Sequence, residues 1–268
     1  MSRISSTFES LKKAKKIGLI TFVTAGDPTF AKSRDILLRL DQSGVDVIEI
    51  GVPFSDPLAD GPAIQRSSER ALGSGMNLSR SLDLVESVRG SITAPIVLFS
   101  YANPIVSMGF KAFARRAAEV GVDGVLVLDL PIEEADEFRE VIVKVSIDPI
   151  FLLSPTTTEE RIKKAANLGS GFLYCISRLG VTGERASVDD GAEAMVARIR
   201  RNTDLPVALG FGLSDPNHVQ AVGRWADAAV VGSGLSIGSG VCRLLMMSVQ
   251  KLEDTFDGLK VKVVSYGL

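Results

Sequence analysis

The sequence predicts one α/β domain over residues 1–268, a TIM-type (β/α)8 barrel with an extra N-terminal helix. Three observations predict this fold. Short apolar runs alternate with amphipathic stretches along the chain, and these runs are almost continuously apolar, as in parallel strands that are covered on both faces. No linker or low-complexity segment interrupts the series. Eight strand–helix units without a break favour a closed barrel over an open doubly wound sheet.

The candidate strands share short apolar runs that are bounded by glycine, proline or aspartate. In chain order they are Gly18–Thr24, Val45–Ile50, Pro95–Tyr101, Gly124–Asp129, Pro149–Leu153, Gly171–Ile176, Pro206–Leu209 and Asp227–Val231. The same tripeptide lies at the start of two strands, at Gly44-Val45-Asp46 and at Gly121-Val122-Asp123. Ala226-Asp227 is a less complete match to this pattern. A small residue at this point ends one helix before the next strand begins, as C-terminal glycine caps do.

Helical periodicity fills the gaps between the strands. The segment Asn77–Arg89, for example, places Leu78, Leu82, Val85 and Val88 on one face. The other candidate helices are Phe30–Ser43, Phe110–Val120, Glu133–Val145, Glu159–Leu168, Asp189–Arg201 and Pro216–Val222. Ser6–Lys16 is interpreted as the extra helix, which closes the bottom of the barrel. The tail 259–268 alternates like a strand and receives no place in the barrel.

Composition excludes several classes of function. The net charge of −2 and the scattered basic residues predict no nucleic-acid interface. No apolar run approaches the roughly 18 residues of a membrane span, and the polar N-terminus does not resemble a secretory signal. Cys175 and Cys242 lie in apolar surroundings, which favours buried free thiols and a reducing cytoplasm. No cluster has metal-ligand spacing, and with a single histidine the acid–base work falls to carboxylates, tyrosine, lysine or cysteine.

Two carboxylates are candidates for that work, because active sites of this fold form at the carboxyl ends of the strands. Glu49, between Ile48 and Ile50, faces either the barrel interior or the helices. Desolvation of a carboxylate against the hydrocarbon side chains of the helices is costly, so we expect Glu49 to point inward. There it would have the raised pKa of a group that gives and takes protons near neutrality. The alternative is that Glu49 forms a structural ion pair. Asp60 either folds back over the mouth or caps the following helix.

Glycines near the last strands indicate an anion site. Gly210-Phe211-Gly212 and Gly232-Ser233-Gly234 follow consecutive candidate strands, and a short helix starting at Ser233 would add its positive end. With no GxxxxGK[ST] loop, this favours a small phosphorylated metabolite over a nucleoside triphosphate. The long loop from Ser177 to about Val188, with Gly180-Val181-Thr182-Gly183-Glu184, is either a mobile lid or a plain surface loop.

The run from Glu49 to Pro62, EIGVPFSDPLADGP, resembles the signature of tryptophan synthase α subunits. The similarity continues in order along nearly the whole chain. It includes Phe22–Pro28, Tyr101–Pro104, Ser177-Arg178, Gly180–Gly183, Gly210–Gly212 and Val231–Ser233.

The resemblance implies a lyase that cleaves indole-3-glycerol phosphate to indole and glyceraldehyde 3-phosphate by a retro-aldol reaction. Glu49 would be the general acid/base, and Asp60 would stabilise positive charge at the ring N–H. Tyr174 would line the site or serve as a core aromatic. The implied substrate-binding residues are Phe22, Tyr174, Thr182, Gly183, Phe211, Gly212, Gly232 and Ser233. Further candidates for the indole pocket are Phe99, Leu126, Leu128, Ile150 and Leu152, whose orientation the sequence leaves open.

The resemblance also implies a partner. Family members form an αββα heterotetramer in which indole passes to a β subunit that holds pyridoxal phosphate, so this chain would need no cofactor. Pro53, Asp56, Asn103 and Asp129 correspond to interface positions. Three alternatives remain: a catalytically idle α-like subunit that activates the β subunit allosterically, a stand-alone lyase that releases free indole, and another phosphate-binding barrel, which the loop through Asp60 argues against.

Overall fold

Nine parallel strands form the sheet in the computed structural model, which describes residues 1–176, 190–210 and 222–232. They are β1 Gly18–Thr24, β2 Val47–Gly51, β3 Ile96–Ser100, β4 Gly124–Val127, β5 Asp148–Ile150, β6 Leu152–Leu153, β7 Leu173–Ile176, β8 Val207–Gly210 and β9 Ala228–Val231. The strand order is β5-β4-β3-β2-β1-β9-β8-β7-β6. The two end strands are consecutive in the chain and separated only by Phe151, so the sheet closes on itself as a barrel.

The fifth predicted strand, Pro149–Leu153, is divided in the structure. Its first half pairs with β4 and its second half with β7. Between the halves, the Phe151 carbonyl accepts the Tyr174 N–H at 3.0 Å. The segment thus turns from one neighbour to the other, which is why eight predicted strands appear as nine.

Helices cover the outside of the sheet and one end of the barrel. They are α1 Arg3–Ala14, α2 Phe30–Gln42, α3 Pro62–Gly73, α4 Leu78–Arg89, α5 Ala102–Met108, α6 Phe110–Val120, α7 Asp136–Lys144, α8 Glu159–Leu168 and α9 Asp190–Arg200. Helix α5 was not predicted, and α3 was expected without bounds. The buried residues of α3 are Ser67, Ser68 and Ala71, so its packing face lacks the large apolar residues that reveal a helix in a sequence. The predicted helix from Pro216 and the tail 259–268 lie outside the described residues.

Helix α1 closes the amino-terminal end of the barrel, as predicted, although it begins at Arg3 and not at the predicted Ser6. Ile4 and Phe8 are buried in the same apolar cluster as Phe172 and the inward residues of the strands. The Phe8 and Phe172 rings lie 5.6 Å apart. Substrate access is therefore left to the opposite end, where the carboxyl ends of the strands lie. In the part of the chain that the structure describes, no helix is both long and apolar enough to cross a membrane.

The aspartates that open three strands connect neighbouring strands at this closed end. Each carboxylate accepts a backbone N–H at the start of the preceding strand: Leu19 to Asp46, Ile96 to Asp123 and Val207 to Asp227, each at 2.8 Å. These hydrogen bonds satisfy donors for which the sheet ladder has no partner. They explain physically why the Gly-Val-Asp pattern recurs at strand starts.

Candidate active site

Glu49 points into the barrel. Its strand neighbour Val47 belongs to the interior cluster, whereas Ile48 and Ile50 pack in the outer cluster between the sheet and the helices. Because side chains alternate along a strand, Glu49 and Gly51 share the inner face with Val47. The inward orientation expected from the sequence is therefore what the structure has, near the carboxyl end of β2.

The carboxyl group of Glu49 is shielded from solvent. Its side chain is buried, with 1% exposure, and neither carboxyl oxygen has a hydrogen-bond partner among the described residues. Burial without a compensating charge disfavours the ionised form and raises the pKa of Glu49 to about 8. This environment does not fit the alternative of a structural ion pair. It leaves Glu49 protonated at neutral pH, with its proton available to a substrate in the mouth.

Asp60 lies over the mouth and is held there by Tyr101. The Tyr101 hydroxyl donates to Asp60 Oδ2 at 3.1 Å and accepts the Ala59 N–H at 3.2 Å. The N-cap of α3 is Gly61, without a side-chain cap, so Asp60 does not cap that helix. Burial raises the pKa of Asp60 to about 6, while the hydrogen bond from Tyr101 acts in the opposite direction. Asp60 thus remains mostly ionised at neutral pH.

Tyr101 is a site residue that the sequence reasoning did not single out. It begins helix α5 immediately after β3, at the strand end where active-site residues of barrels lie. This position at a strand end, together with a polar hydroxyl on an aromatic ring, could have indicated a site residue from the sequence. Its ring also packs against Phe54 at 5.0 Å, so Tyr101 contacts both ends of the loop that leads to Asp60.

Tyr174 brings the two carboxylates into one electrostatic environment. It is a buried inward residue of β7, and burial is the largest cause of its raised pKa. Coulombic repulsion from the ionised forms of Glu49, Cys175 and Asp60 raises that pKa further. Glu49 and Asp60, which come from β2 and the loop after it, therefore both lie within range of one phenol on the far strands of the barrel.

Apolar residues line the interior around this polar group. Phe22 and Phe99 meet edge to face, with ring centroids 5.5 Å apart and planes at 83°. The other pocket candidates, whose orientation the sequence left open, also belong to or pack against the interior cluster: Leu126, Leu128, Ile150 and Leu152. An apolar surface of this kind suits contact with a planar aromatic ring.

Most of the predicted phosphate site lies outside the described residues. This applies to Gly183, Phe211, Gly212 and Ser233, and likewise to Thr182 and the rest of the loop 177–188. Gly232 is described, at the carboxyl end of β9, beside the Phe22 side chain. One member of the predicted set thus lies at the mouth, on the strand that neighbours β1.

The residues proposed for a partner interface surround the mouth. Asp56 and Asn103 are exposed, whereas Pro53 is buried. Asp129 is exposed and accepts the Ala102 N–H at 2.6 Å, which links it to the start of α5. Leu58, in the same loop as Asp56, is 88% exposed and places a large apolar side chain on this surface.

The arrangement supports acid–base chemistry on an apolar substrate. A protonated Glu49 and a mostly ionised Asp60 act from different elements, and environments that separate two carboxyl pKa values assign an acid and an anionic stabiliser. The described ranges contain no group of three or more His, Cys, Asp or Glu side chains placed to hold a metal ion. Cys175 is a buried free thiol, as the sequence predicted, and it packs between the sheet and helices α8 and α9. Cys242 lies outside the described residues.

Comparison with known proteins gives one consistent result. The family model for the tryptophan synthase alpha chain matches residues 8–245. The tryptophan synthase alpha chain of Geotalea uraniireducens is 51% identical over 235 residues, 88% of each chain, and that of Methylococcus capsulatus is 48% identical over 236 residues, again 88% of each. A crystal structure of tryptophan synthase subunit alpha from Legionella pneumophila has a TM-score of 0.85 at 33% identity, covering 96% of this chain and 100% of that one. A Mycobacterium tuberculosis tryptophan synthase structure has a TM-score of 0.87 at 33% identity, covering 93% and 96%.

Proposed function

Because this chain belongs to the tryptophan synthase alpha chain family, we propose that Glu49 and Asp60 carry out its reaction at the barrel mouth. The chain is a carbon–carbon lyase of tryptophan biosynthesis and catalyses the alpha reaction, the cleavage of indole-3-glycerol phosphate to indole and glyceraldehyde 3-phosphate. The observation that carries the assignment of residues is the buried carboxyl of Glu49, which has no hydrogen-bond partner among the described residues and lies on the inner face next to the mouth.

The reaction begins with Glu49 as an acid. Since burial raises its pKa to about 8, it holds a proton at neutral pH and transfers it to carbon 3 of the indole ring. The ring becomes a cation with its charge centred on nitrogen. Asp60, with a pKa of about 6, is mostly ionised and accepts a hydrogen bond from the ring N–H, which stabilises this charge.

The second half of the reaction uses Glu49 as a base. Its carboxylate takes the proton of the hydroxyl on the side-chain carbon attached to the ring, and that carbon becomes the aldehyde of glyceraldehyde 3-phosphate. The electron pair of the broken carbon–carbon bond returns to the ring and neutralises the cation. The indole ring serves as its own electron sink, so Glu49 supplies both proton transfers and Asp60 stabilises the charge between them.

The deciding experiment is a cleavage assay with indole-3-glycerol phosphate, with and without the β subunit, on the parent chain and on Glu49→Gln. Turnover by the parent that is nearly lost in the variant supports the assignment. Absence of parental turnover in both mixtures would instead favour an idle α-like subunit that only activates its partner. Equal parental rates with and without the β subunit would favour a stand-alone lyase.

The substrate's phosphate is proposed to bind to the backbone of Gly183, Phe211, Gly212, Gly232 and Ser233, and Thr182 is proposed to close toward the Asp60 loop. Phe22 and Tyr174 line the indole part of the site. Support comes from the inward positions of Phe22 and Tyr174 and from Gly232 at the mouth. We also propose that residues 1–268 form one barrel domain, because β9 pairs directly with β1.

The family works with a β subunit and does not itself bind pyridoxal phosphate. We propose that this chain joins an αββα heterotetramer, that the cofactor lies in the β subunit, and that Pro53, Asp56, Asn103 and Asp129 lie at the interface. The exposed Leu58 beside Asp56 supports this surface, because a large apolar side chain gains free energy when a partner covers it. We propose the cytoplasm as its location, supported by the buried free thiol of Cys175.

A further inference from the structure

Gly51 occupies an unusual place on the inner face of the barrel. It follows Glu49 on that face, one inward position closer to the mouth, and it is buried. On one side its register partner is Thr24 of β1, and on the other side it is Phe99 of β3. A side chain at this position would enter the mouth directly above Glu49.

Aromatic rings from the two neighbouring strands occupy that space instead. Phe22, level with Glu49 on β1, leans along its strand toward the mouth, and a Cβ atom built on Gly51 would lie 2.6 Å from its ring atom Cε2. There the Phe22 ring meets Phe99, edge to face at 5.5 Å. Two aromatics from β1 and β3 thus touch across β2 because β2 has no side chain between them.

We propose that Gly51 is a specificity-determining, positioning residue that acts through Phe22. The missing side chain lets Phe22 and Phe99 join into one apolar wall, against which a planar bicyclic ring binds beside Glu49. The inference rests on the proposed placement of the indole ring. Gly51 itself does not touch the reacting atoms, because its whole effect is to leave room for the ring of Phe22.

Gly51→Ala tests the proposal, because an alanine at this position meets no backbone strain and collides only with a movable ring. The reverse reaction separates the two parts of the site, since indole and glyceraldehyde 3-phosphate are added as independent substrates. In the full chain we expect the KM for indole to rise about tenfold, equivalent to about 1.4 kcal/mol. The KM for glyceraldehyde 3-phosphate should stay within about twofold of the parent, because overpacking acts locally.

A second readout follows from the position of the rings over Glu49. When Phe22 is displaced, water reaches the carboxyl, and the pKa of Glu49 falls from about 8 toward its ordinary value. Since Glu49 must be protonated to start cleavage, the alkaline limb of kcat/KM for indole-3-glycerol phosphate should move to lower pH. A change in general stability would not move this limb.

The control variants make the mechanism falsifiable. Gly90→Ala, at the end of α4 with open space around it, should leave both KM values unchanged. In a Phe22→Leu background the colliding ring atoms are absent, so adding Gly51→Ala should have no further effect on the KM for indole. This comparison also serves if Gly51→Ala alone does not fold.

Either of two results would overturn the proposal: a parental KM for indole in Gly51→Ala, or an equal penalty in the Phe22→Leu background. Failure of the proposed function would give results that differ from these two. It would appear as full activity in Glu49→Gln, or as an unchanged KM for indole in Phe22→Leu alone.

Discussion

Replacing Glu49 by glutamine changes activity and stability in opposite directions. The variant keeps the size of the side chain but cannot ionise, so it can neither supply the proton to the indole ring nor take one from the side-chain hydroxyl. Since general acid–base catalysis contributes about 10²–10⁴-fold to a single step, and both proton transfers use Glu49, we expect kcat for cleavage to fall about a thousandfold or more.

The effect on stability follows from the pKa of Glu49, which burial raises from its ordinary value of 4.5 to about 8. Because the unfolded chain releases this proton first, stability is fully present below pH 4.5 and is lost as the pH rises through 8. At about 1.4 kcal/mol per pH unit, the complete loss is about 5 kcal/mol. Most of it, about 4 kcal/mol, falls between pH 5 and pH 9. Glutamine stays neutral, so Glu49→Gln should escape this loss.

The assay compares the free energy of unfolding in urea at the two pH values for the parent, Glu49→Gln and Glu134→Gln. Glu134 is exposed, so the same chemical change there is the matched control and should leave activity and pH dependence as in the parent. If the unfolding free energy changes by the same amount between pH 5 and pH 9 in the parent and in Glu49→Gln, the desolvation of the Glu49 carboxyl is refuted. Cleavage above about a tenth of the parental rate in Glu49→Gln would refute its role as acid and base.

Three further variants probe the remaining parts of the site and the fold. Asp60→Asn removes the charge that stabilises the ring cation, so kcat should fall about a hundredfold or more; a steady-state rate near that of the parent would contradict this role. The hydrogen bond from Tyr101 lowers the pKa of Asp60. Tyr101→Phe removes this bond, so the pKa of Asp60 should rise above about 6. The acidic limb of the kcat/KM profile should therefore move to higher pH, and an unmoved limb would show that the bond does not tune Asp60. Ile4→Ala leaves a cavity at the closed end of the barrel and should cost about 2–5 kcal/mol of unfolding free energy in urea with KM unchanged. A stability equal to that of the parent would show that α1 does not close the core.

The order of strands and helices could be predicted because it depends on local patterns. The first strand, Gly18–Thr24, and the helices Phe110–Val120 and Glu159–Leu168 have the predicted bounds, since apolar periodicity and Gly or Pro boundaries lie within each segment. The Gly-Val-Asp pattern marked strand starts correctly. Helix α3 resisted a prediction of its bounds because its buried face consists of serines and an alanine, which no hydrophobic pattern reveals.

The sequence by itself determined which residue types stand at the barrel mouth: Glu49 at a strand end, Asp60 after it, and glycines at the last strands. It predicted that Glu49 faces inward, but it did not determine which way the apolar strand residues face, because both faces of a parallel strand are apolar in such a barrel. Only the tertiary structure decided that Phe22, Leu126 and Ile150 point inward. It alone joined Tyr101 to Asp60, 41 residues apart, and placed two rings above Gly51. These contacts depend on closure of the sheet and on strand register, which are long-range properties that a local pattern does not contain.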